Sequence, residues 1–588
     1  MTWTLGIASS HESSACLLHD GRLVAAISEE RLSRVKCDGY RLPQRAIDAV
    51  LALGGAGGRD GIGRRDIDHI ALIHSFLPEK YVARETWYKE LESRLARAKK
   101  RLRDRQERQL NLNDMLKRLR GTDRPFMDLF RIRRFLADEG FNPRAQVHFF
   151  DHHATHAAAA AFYSGFRDAT VLTLDGKGDL DVHHTSGVYS GGRLAGLRVS
   201  DALGTSAGEF YEEITVQLGF RSLRHEGKVL GLAAYGDPKP LYPAFKRALR
   251  LSPDGRHPDS DFAGVTQAFR KRRAFITEAV RGHSRENVAA AAQAVFEEAL
   301  VELTRNLVRE TGKRYLALNG GVFANVKLNQ RIAALPEVDA IFVFPAMSDT
   351  GNSLGAALLL QEELDPGFFA REARALEHVY LGPEASMAGI ERELSRAGLA
   401  YRKMDAETLV ERAAEAIHAG GVVGWFQGRM EFGPRALGNR SILARPTDAS
   451  INKWLNQRLE RTEFMPFAPS VMEEYADEIF IDLAKARHSA EFMTITSHVA
   501  GTWRERIPAV VHVDGTARPQ VVRRAVNPLY HALIDAYRRK SGIPLVLNTS
   551  FNVHEEPIVC GPAEAVRALA EQRIDSLAIG EFWVEPGA

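Results

Sequence analysis

The stretch TLGIASSHESSACLLHDGRLVAAIS, residues 4–28, decides how the first part of the chain folds. Its apolar segments 4–9, 13–18 and 23–28 predict three strands, and the turn His19-Asp20-Gly21 joins the last two. Aspartate followed by glycine is typical of a tight turn between strands. The stretch therefore predicts a strand-turn-strand unit at the start of a sheet.

A second unit of the same kind follows further along the chain. Residues 169–174 predict a strand, 175–179 a polar turn, and 185–189 a return strand closed by Gly191-Gly192. Two such units, each followed by helical sequence, predict a duplicated α/β fold. The nucleotide-binding domain of actin and the sugar kinases is built in this way, and we expect that fold over residues 1–365.

The end of this domain is marked by Asp365-Pro366-Gly367, because proline and glycine end the preceding helix. A new α/β unit begins after residue 375, with a helix predicted over 406–419. We therefore expect a second α/β domain over residues 375–588.

Composition places the chain among globular proteins. Of its 588 residues 45% are hydrophobic and 26% charged, and the net charge of +3 points to no class of partner. The cysteines Cys16, Cys37 and Cys560 are too far apart for a disulfide framework or a Cys-x-x-Cys zinc site. With no signal-peptide pattern and no apolar run of roughly 20 residues, we expect a cytoplasmic protein.

A basic helical insertion is predicted over about 80–135. Between Ser93 and Arg120 there are eleven lysines and arginines and three acidic residues. A solvated helical hairpin is the simplest interpretation of such a segment. A surface for an anionic substrate or RNA is the alternative.

The motif Asp151-His152-His153-Ala154-Thr155-His156 links a predicted strand to an alanine-rich helix. His152 and His156 are four residues apart and share one helical face, where two imidazoles can bind one transition metal. An isolated pair of this kind is more often two polar residues at a helix start, so further ligands are needed. Asp175 and Asp349 each follow a predicted strand, although each alone is also typical of a turn or N-cap. Two His and two Asp together suit Fe(II), Mn(II) or Zn(II).

Glycine-rich turns and isolated polar groups provide further candidates. Gly320-Gly321 would let backbone N–H groups approach a phosphate, and Glu226 and Lys228 flank a glycine, although both segments are also typical of ordinary turns. His11 follows the first predicted strand and could act as a general base, with a polar surface role as the alternative.

The second domain has the denser motif. Arg429, Arg435 and Arg440 lie among glycines in segment 428–440, where arginines can bind phosphate or carboxylate oxygens bidentately. Surface salt bridging is the alternative use. Further polar groups of the same kind are Arg518, Asn548 and Ser550.

Taken together, these motifs resemble the O-carbamoyltransferases of antibiotic and nodulation-factor biosynthesis. The basic segment 85–120 lies outside the resemblance. The matching segments are 28–31, 151–156, 226–236, 319–325, 348–353, 428–443, 465–469 and 548–552.

The resemblance implies two domains with two reactions. The second domain, which is similar to the threonylcarbamoyl-adenylate synthase fold, would form carbamoyl adenylate from carbamoyl phosphate and ATP. The first domain, similar to the ATPase-fold protein that transfers threonylcarbamoyl to tRNA, would pass the carbamoyl group to a hydroxyl of a small-molecule natural product.

The resemblance also implies residue roles. His152, His156, Asp175 and Asp349 would hold Fe²⁺, and His11 would take the proton of the acceptor. ATP would be a bound substrate, and Mg²⁺ could bind together with it. Family members often have Lys-His where this chain has Lys36-Cys37, which bears on the acceptor contacts. The residues implied in binding nucleotide and carbamoyl phosphate are Lys36, Glu226, Lys228, Gly320, Gly321, Asn325, Arg429, Arg435, Arg440, Arg518, Asn548 and Ser550.

Three other functions compete with this interpretation. A tRNA threonylcarbamoyl transferase would use the basic insertion, but the joined second domain favours a small-molecule acceptor, and we expect neither a nucleic-acid nor a membrane partner. A hydrogenase-maturation carbamoyltransferase should carry paired Cys-x-x-Cys zinc motifs, which this sequence does not contain. A non-enzymatic actin-like scaffold predicts no ATP turnover.

Overall fold

The computed structural model contains two five-stranded sheets in the first domain and one eight-stranded sheet in the second, with helices packed on them. Most of the predicted insertion over 80–135 lies outside the described residues, so the helical hairpin stays a prediction. The structure describes residues 2–55, 61–73, 77–82, 130–179, 182–199, 205–265, 267–460 and 464–585.

The first sheet contains five strands in the order β3-β2-β1-β4-β5. Strands β1 to β3 are antiparallel, whereas β4 and β5 run parallel to β1. Five of the six residues of β1 are buried, because both faces of the sheet are covered. The strands are β1 Trp3–Ala8, β2 Ser14–His19, β3 Arg22–Ser28, β4 His69–Ile73 and β5 Gln146–Phe150, and the helices are α1 Glu29–Ser33, α2 Gln44–Ala52, α3 Ile132–Asp138 and α4 His152–Tyr163.

The second sheet repeats this topology with the order β12-β11-β6-β7-β8. Three antiparallel strands again come first, and two parallel strands extend the other edge. This repetition confirms the predicted duplicated fold of the actin and sugar-kinase type. The strands are β6 Asp168–Leu174, β7 His184–Ser190, β8 Arg193–Val199, β11 Tyr315–Asn319 and β12 Ala340–Val343, with a short pair β9 Arg250–Leu251 and β10 Pro258–Asp259 between them.

The helices of the second half lie between β8 and β11, between the last two strands, and after them. Helix α9 is long and largely buried, and it packs against α6 and α7. The helices are α5 Ala207–Gln217, α6 Glu226–Ala233, α7 Tyr242–Ala248, α8 Ala268–Ala279, α9 Arg285–Thr311, α10 Val326–Ala333, α11 Asn352–Leu364 and α12 Phe368–Glu372.

Helices α4 and α11 pack against each other where the two halves of the domain meet. Each follows the fifth strand of its own half, so the two helices occupy equivalent positions. A Cβ atom at Gly355 would lie 2.0 Å from the carbonyl oxygen of Thr155, which shows how closely the backbones approach. Only glycine permits this contact, and it brings the loops before both helices together.

The second domain contains one mixed sheet of eight strands in the order β13-β22-β21-β14-β15-β20-β16-β19. Helices cover this sheet, which confirms the predicted α/β class. The strands are β13 Tyr401–Lys403, β14 Val423–Phe426, β15 Arg440–Ala444, β16 Ala468–Met472, β17 Ser497–His498, β18 Thr516–Ala517, β19 Gln520–Val522, β20 Leu545–Ser550, β21 Ser576–Ile579 and β22 Phe582–Val584, of which β17 and β18 form a separate pair. The helices are α13 Met387–Arg396, α14 Ala406–His418, α15 Ser450–Arg458, α16 Ala476–Ile479, α17 Arg487–Ala490, α18 Gly501–Arg504, α19 Pro528–Ser541 and α20 Pro562–Ala570.

The first sheet and the second domain share apolar contacts. Met430, Ala436 and Ile558 of the second domain pack into the core around β1 to β5. Arg34 donates hydrogen bonds of 2.7 Å to the backbone oxygens of Pro557 and Ile558. Among the described helices, none is both long and apolar enough to cross a membrane.

Candidate metal centre and substrate-binding residues

The four predicted metal ligands come together at one end of the first domain. His152 and His156 project from the first turns of α4, Asp175 directly follows β6, and Asp349 lies in the loop after β12. One ligand atom from each residue lies within 4.8 Å of the others. Loops at the carboxyl ends of strands are where α/β folds present ligand groups.

The distances between these ligand atoms fit a single metal ion. Nε2 of His152 and of His156 lie 3.1 and 3.2 Å from Oδ2 of Asp175. The same nitrogens lie 3.5 and 3.6 Å from Oδ1 of Asp349. Bonds of about 2.1 Å to a tetrahedral or octahedral ion place neighbouring ligand atoms about 3.0 to 3.4 Å apart. The four side chains thus form a set of the right size without rearrangement.

Burial and charge also favour a cation here. Both histidines are fully buried, and Oδ1 of Asp349 has no hydrogen-bond partner among the residues that the structure describes. Burial works to lower the pKa of His152, but the carboxylates of Asp349 and Asp175 raise it to about 9. The negative field that attracts a proton also stabilises a metal cation. Imidazole and carboxylate ligands suit iron(II), manganese(II) and zinc(II) alike.

Local sequence sets the orientation of the histidines. The side chain of Asp151 accepts a hydrogen bond of 2.8 Å from the N–H of Ala154 and caps α4. His153, which points away from the ligands, lies 2.8 Å from Oγ1 of Thr173 and 3.0 Å from the carbonyl oxygen of Val182. Burial, reinforced by the neighbouring histidines, holds the pKa of His153 well below its usual range. His153 is therefore a neutral structural residue.

The predicted glycine turn lies against Leu174 and against Asp175 of the candidate metal site. Gly320 has a φ of +104°, and a Cβ atom there would lie 2.2 Å from the carbonyl oxygen of Leu174. A Cβ atom at Gly321 would lie 3.1 Å from Oδ1 of Asp175. The two glycines thus allow the turn after β11 to approach the Asp175 turn, while phosphate binding there stays a prediction.

His11, the predicted base, borders the same centre. Its Nδ1 lies 3.0 Å from Oδ2 of Asp349, and its side chain is 20% exposed, whereas Asp349 is only 3% exposed. Burial works to lower the pKa of His11, but Asp349 outweighs it and raises the pKa to about 10. His11 is the most exposed member of this group, followed by Asp175 at 12%.

Two residues that contact the centre were missed by sequence reasoning. Glu12 accepts hydrogen bonds from the hydroxyls of Ser348 and Thr350, on either side of Asp349. Nδ2 of Asn352 lies 3.2 Å from Nε2 of His156. Glu12 follows His11 and Asn352 lies three residues after Asp349, and this closeness to predicted site residues was the signal in the sequence that could have identified them.

Glu226 lies near His11, whereas Lys36 and Lys228 lie near His225, which contacts Glu555 of the second domain. Arg224 donates a hydrogen bond of 2.9 Å to the backbone oxygen of Lys36. Burial, with Glu212 adding to it, raises the pKa of Glu226 to about 7, and the nearby His11 opposes this shift. Lys228 is buried, with its Nζ 5.8 Å from the ring centre of Phe220.

A group of charged residues around Glu555 joins this region to the second domain. Nε2 of His225 lies 2.6 Å from Oε1 of Glu555, and Arg221 and Arg224 contact Oε2 at 2.8 and 3.1 Å. Burial works to raise the pKa of Glu555, but hydrogen bonds from His225 and Arg224 lower it to about 2. We call these four residues the Glu555 cluster.

Asn325 has a structural role in the described contacts. Its Oδ1 accepts a hydrogen bond of 3.0 Å from the N–H of Leu328 and caps α10. Its Nδ2 donates to Oε1 of Gln293 at 3.0 Å. Both polar atoms are thus used within the protein, and the predicted contact with a nucleotide gains no support.

Arg429 and Arg440 are committed to backbone oxygens. Arg429 donates to the carbonyls of Val24, Leu381 and Gly382 at 3.0, 2.6 and 3.0 Å. Arg440 is fully buried and donates to four carbonyls, with its guanidinium 3.6 Å from the ring centre of Phe426. Arg429 therefore stabilises the contact between the domains through Val24, whereas Arg440 stabilises the loop. Contact of either arginine with phosphate stays a prediction.

Glu431 organises the same loop and was also missed by sequence reasoning. Its Oε1 accepts hydrogen bonds from the N–H groups of Leu437, Asn439 and Arg440 at 2.7, 2.9 and 3.2 Å. The side chain is 2% exposed. The buried carboxylate of Glu431 therefore holds the loop in shape by accepting three backbone hydrogen bonds. The sequence alone did not distinguish it from a charge on the surface.

The remaining predicted binding residues differ in burial. Arg435, Arg518 and Ser550 are half-buried, whereas Asn548 is 1% exposed. Nδ2 of Asn548 donates to the carbonyl of Ala436 at 3.2 Å, and so ties β20 to the loop. The three half-buried residues retain accessible surface, and their binding role stays a prediction.

Comparison with protein families decides the class of the chain. A family model described as the carbamoyltransferase N-terminus matches residues 3–358, and one described as the carbamoyltransferase C-terminus matches 414–586. The chain belongs to the carbamoyltransferase family. This confirms the predicted resemblance and the prediction of a transferase enzyme, while the predicted domain limits of 365 and 375 are not tested by the matches.

Relatives of this carbamoyltransferase include a nodulation protein and an O-carbamoyltransferase. The nodulation protein NolNO of Sinorhizobium fredii is 35% identical over 98% of this chain and 79% of its own length. The 3'-hydroxymethylcephem-O-carbamoyltransferase of Streptomyces clavuligerus is 27% identical over 61% of this chain and 65% of its own length.

Solved structures give weaker matches to the carbamoyltransferase chain. Full-length HypF in its phosphate- and nucleotide-bound form is 12% identical, covers 62% of this chain and 56% of its own, and has a TM-score of 0.33. A TM-score this low supports no statement about the chemistry of the present chain.

Proposed function

We propose that this carbamoyltransferase transfers a carbamoyl group from carbamoyl phosphate, through carbamoyl adenylate, to a hydroxyl of a small-molecule natural product. In the first reaction, water releases phosphate from carbamoyl phosphate, and the resulting carbamate attacks the α-phosphorus of ATP. Pyrophosphate leaves and carbamoyl adenylate forms. In the second reaction, the acceptor oxygen attacks the carbamoyl carbon and AMP leaves.

The observation that carries this proposal is the contact between His11 and the metal centre. An accessible imidazole lies 3.0 Å from a carboxylate that belongs to a buried set of four metal-binding side chains. A general base beside a cation-binding site is suited to acyl transfer, because one group removes a proton while the cation stabilises negative charge.

His11 would act through Nε2. Its Nδ1–H donates to Oδ2 of Asp349, which fixes the ring and leaves Nε2 for the acceptor proton. A base must be neutral before it accepts a proton. A cation that shares the charge of Asp349 weakens the interaction that raises the pKa of His11, and so favours the neutral imidazole.

His152, His156, Asp175 and Asp349 would hold the cation, which we propose to be Fe²⁺. When bound, such an ion supplies a Lewis acid that orients and polarises phosphate or carbonyl oxygens. His152 and His156 are fixed by α4, and Asp175 is fixed by the N–H of Gly176, which donates to its Oδ1 at 2.7 Å. These contacts prearrange the ligands.

The first reaction is assigned to the second domain. Arg435, Arg518 and Ser550 are its accessible polar residues from the predicted set, and their donors suit the phosphates of ATP and carbamoyl phosphate. Arg429, Arg440 and Glu431 would act indirectly, because they shape the loop 428–440 on which Arg435 lies. Lys36 would lie near the carbamoyl group or the acceptor.

Release of pyrophosphate tests the proposal. Purified protein with Fe²⁺, Mg²⁺, carbamoyl phosphate and ATP should release pyrophosphate and phosphate, and an alcohol acceptor should increase AMP formation. Omission of carbamoyl phosphate is the control. A chain that releases no pyrophosphate contradicts the enzymatic proposal, whereas release that requires threonine and tRNA supports a threonylcarbamoyl transferase. Candidate acceptors can be screened by the mass added on carbamoylation.

A further inference from the structure

We propose that Glu12 is a positioning residue that fixes the turn carrying Asp349. Its Oε2 accepts hydrogen bonds from the hydroxyls of Ser348 and Thr350, the latter at 3.1 Å. These two residues flank Asp349, so one carboxylate holds the turn on both sides of a proposed metal ligand. The part of the proposal that concerns the metal rests on the proposed function.

Glu12 belongs to a set of contacts between two loops. His11 contacts Asp349 at 3.0 Å, and the hydroxyl of Ser14 donates to the backbone oxygen of Thr350 at 2.7 Å. Residues 11 and 12 of the loop after β1 and residue 14 at the start of β2 thus contact residues 348–350 of the turn after β12. Because the two loops come from different halves of the domain, these contacts also join the halves.

The turn needs this support because the side chain of Asp349 accepts few other hydrogen bonds. Its Oδ1 is buried, lies 3.5 Å from Nε2 of His152, and makes no hydrogen bond to any residue in the described part of the chain. Its orientation therefore depends on His11 and on the backbone of the turn. Residues that orient a metal ligand typically contribute about 10- to 100-fold to metal affinity.

The second oxygen of Glu12 extends the contacts to a different segment. Sγ of Cys37 lies 3.8 Å from Oε1, and the backbone N–H of Cys37 donates to Oε2 of Glu30 at 2.8 Å. Lys36 precedes Cys37 and is proposed to lie near the acceptor. Glu12 thus links the Asp349 turn to the segment beside the proposed acceptor.

Hydrogen exchange of the metal-free protein tests the positioning role directly. Amides of residues 348–353 should exchange at least about tenfold faster in Glu12→Ala than in wild type, since the two hydroxyls lose their shared acceptor. Glu12→Gln keeps a carbonyl oxygen that can accept both bonds, so its exchange should stay within about threefold of wild type. If the two variants lose protection from exchange equally, or if the exchange rate is unchanged in Glu12→Ala, the hydrogen-bonding role is overturned.

Binding of Co²⁺ tests the consequence for the metal centre. Its dissociation constant, followed by absorption, should rise about 10- to 100-fold in Glu12→Ala and little in Glu12→Gln. Asp168→Ala is a matched control, because Asp168 also accepts a hydroxyl, that of Ser190, but lies at the opposite end of β6 from Asp175. Unchanged affinity in Glu12→Ala overturns the proposal. If wild type binds no Co²⁺, the metal part of the proposed function fails, and the exchange result alone decides the role of Glu12.

Discussion

Nδ1 of His11 lies 3.0 Å from Oδ2 of Asp349, while the other oxygen of that aspartate lies 3.5 and 3.6 Å from the imidazoles of His152 and His156. One carboxylate therefore contacts both the proposed base and the proposed metal site. A change at Asp349 must affect both, whereas a change at His11 leaves all four ligands in place. This asymmetry allows the two proposed reactions to be separated by mutation.

His11→Ala should keep adenylate formation and lose transfer. Loss of a general base typically reduces a rate by about 10²- to 10⁴-fold, and we assign adenylate formation to the second domain, which does not contain His11. Pyrophosphate release should therefore stay near that of wild type, while formation of the carbamoylated acceptor falls at least about 100-fold. Equal reduction of the two reactions would contradict the assignment of His11 to the transfer step.

Removal of one metal ligand should abolish tight metal binding. Asp175→Ala and His156→Ala each remove a ligand atom from a set whose members lie within 4.8 Å of one another. Residues that only orient a metal ligand contribute about 10- to 100-fold to metal affinity. Loss of a ligand itself should therefore weaken Co²⁺ binding by more than about 100-fold. His148→Ala, at a half-buried histidine of β5, serves as the control. Retained affinity in both ligand variants would refute the metal centre.

Glu431→Ala should destabilise the second domain. The change leaves three buried N–H groups of the loop without their acceptor, at a cost of at least about 3 kcal/mol. The urea midpoint of unfolding should fall, and pyrophosphate release should fall with it. Glu407→Ala, on the exposed side of α14, should change stability by less than about 0.5 kcal/mol. An unchanged midpoint in Glu431→Ala would show that the loop does not depend on its internal carboxylate.

Arg34→Ala should weaken the contact between the domains. Two hydrogen bonds to the carbonyls of Pro557 and Ile558 are lost, which predicts a cost of about 1 to 3 kcal/mol. Hydrogen exchange near residue 558 should increase, because the backbone there loses its partner. Arg167→Ala, at an exposed arginine, should have neither effect. Normal protection of this segment in Arg34→Ala would argue against the contact.

The Glu555 cluster should contribute stability that is lost in acid. The pKa of Glu555 is lowered from 4.5 to about 2 on folding, so the unfolded chain binds the proton first as the pH falls. The stabilisation is therefore complete above about pH 4.5 and disappears as the pH falls towards 2. Glu555→Gln should flatten the decline of unfolding free energy between pH 5 and 3, as measured by urea unfolding. Parallel curves for variant and wild type would contradict this contribution.

Much of the fold could be predicted because burial leaves a regular apolar pattern. The strand predicted over 169–174 is β6, Asp168–Leu174, and the helix predicted over 406–419 is α14, Ala406–His418. The strand order could not be predicted from this pattern. Pairing of β1 with β4, and of β11 with β6, depends on contacts between residues that are distant in sequence. The repetition of that order is what identifies the duplication.

The candidate site was predictable where residue type alone limits the chemistry. Two histidines with helical spacing and two aspartates after strands predicted a metal site, and the structure brings the four side chains together. Arginine does not limit the chemistry in this way, because Arg440 binds carbonyl oxygens by the same geometry with which it would bind phosphate. Glu12 was missed because its partners, Ser348 and Thr350, are more than 300 residues away in sequence.

The repeated topology has a consequence for how the two halves share the candidate metal site. His11 and Asp175 follow the equivalent strands β1 and β6, His152 begins α4, and Asp349 lies just before the equivalent helix α11. Each half thus supplies one polar residue at each of two corresponding positions. A symmetric homodimer of a single repeat would have to carry the same residue at both copies of a position. Two repeats joined in one chain need not match, so one can carry an imidazole where its counterpart carries an aspartate.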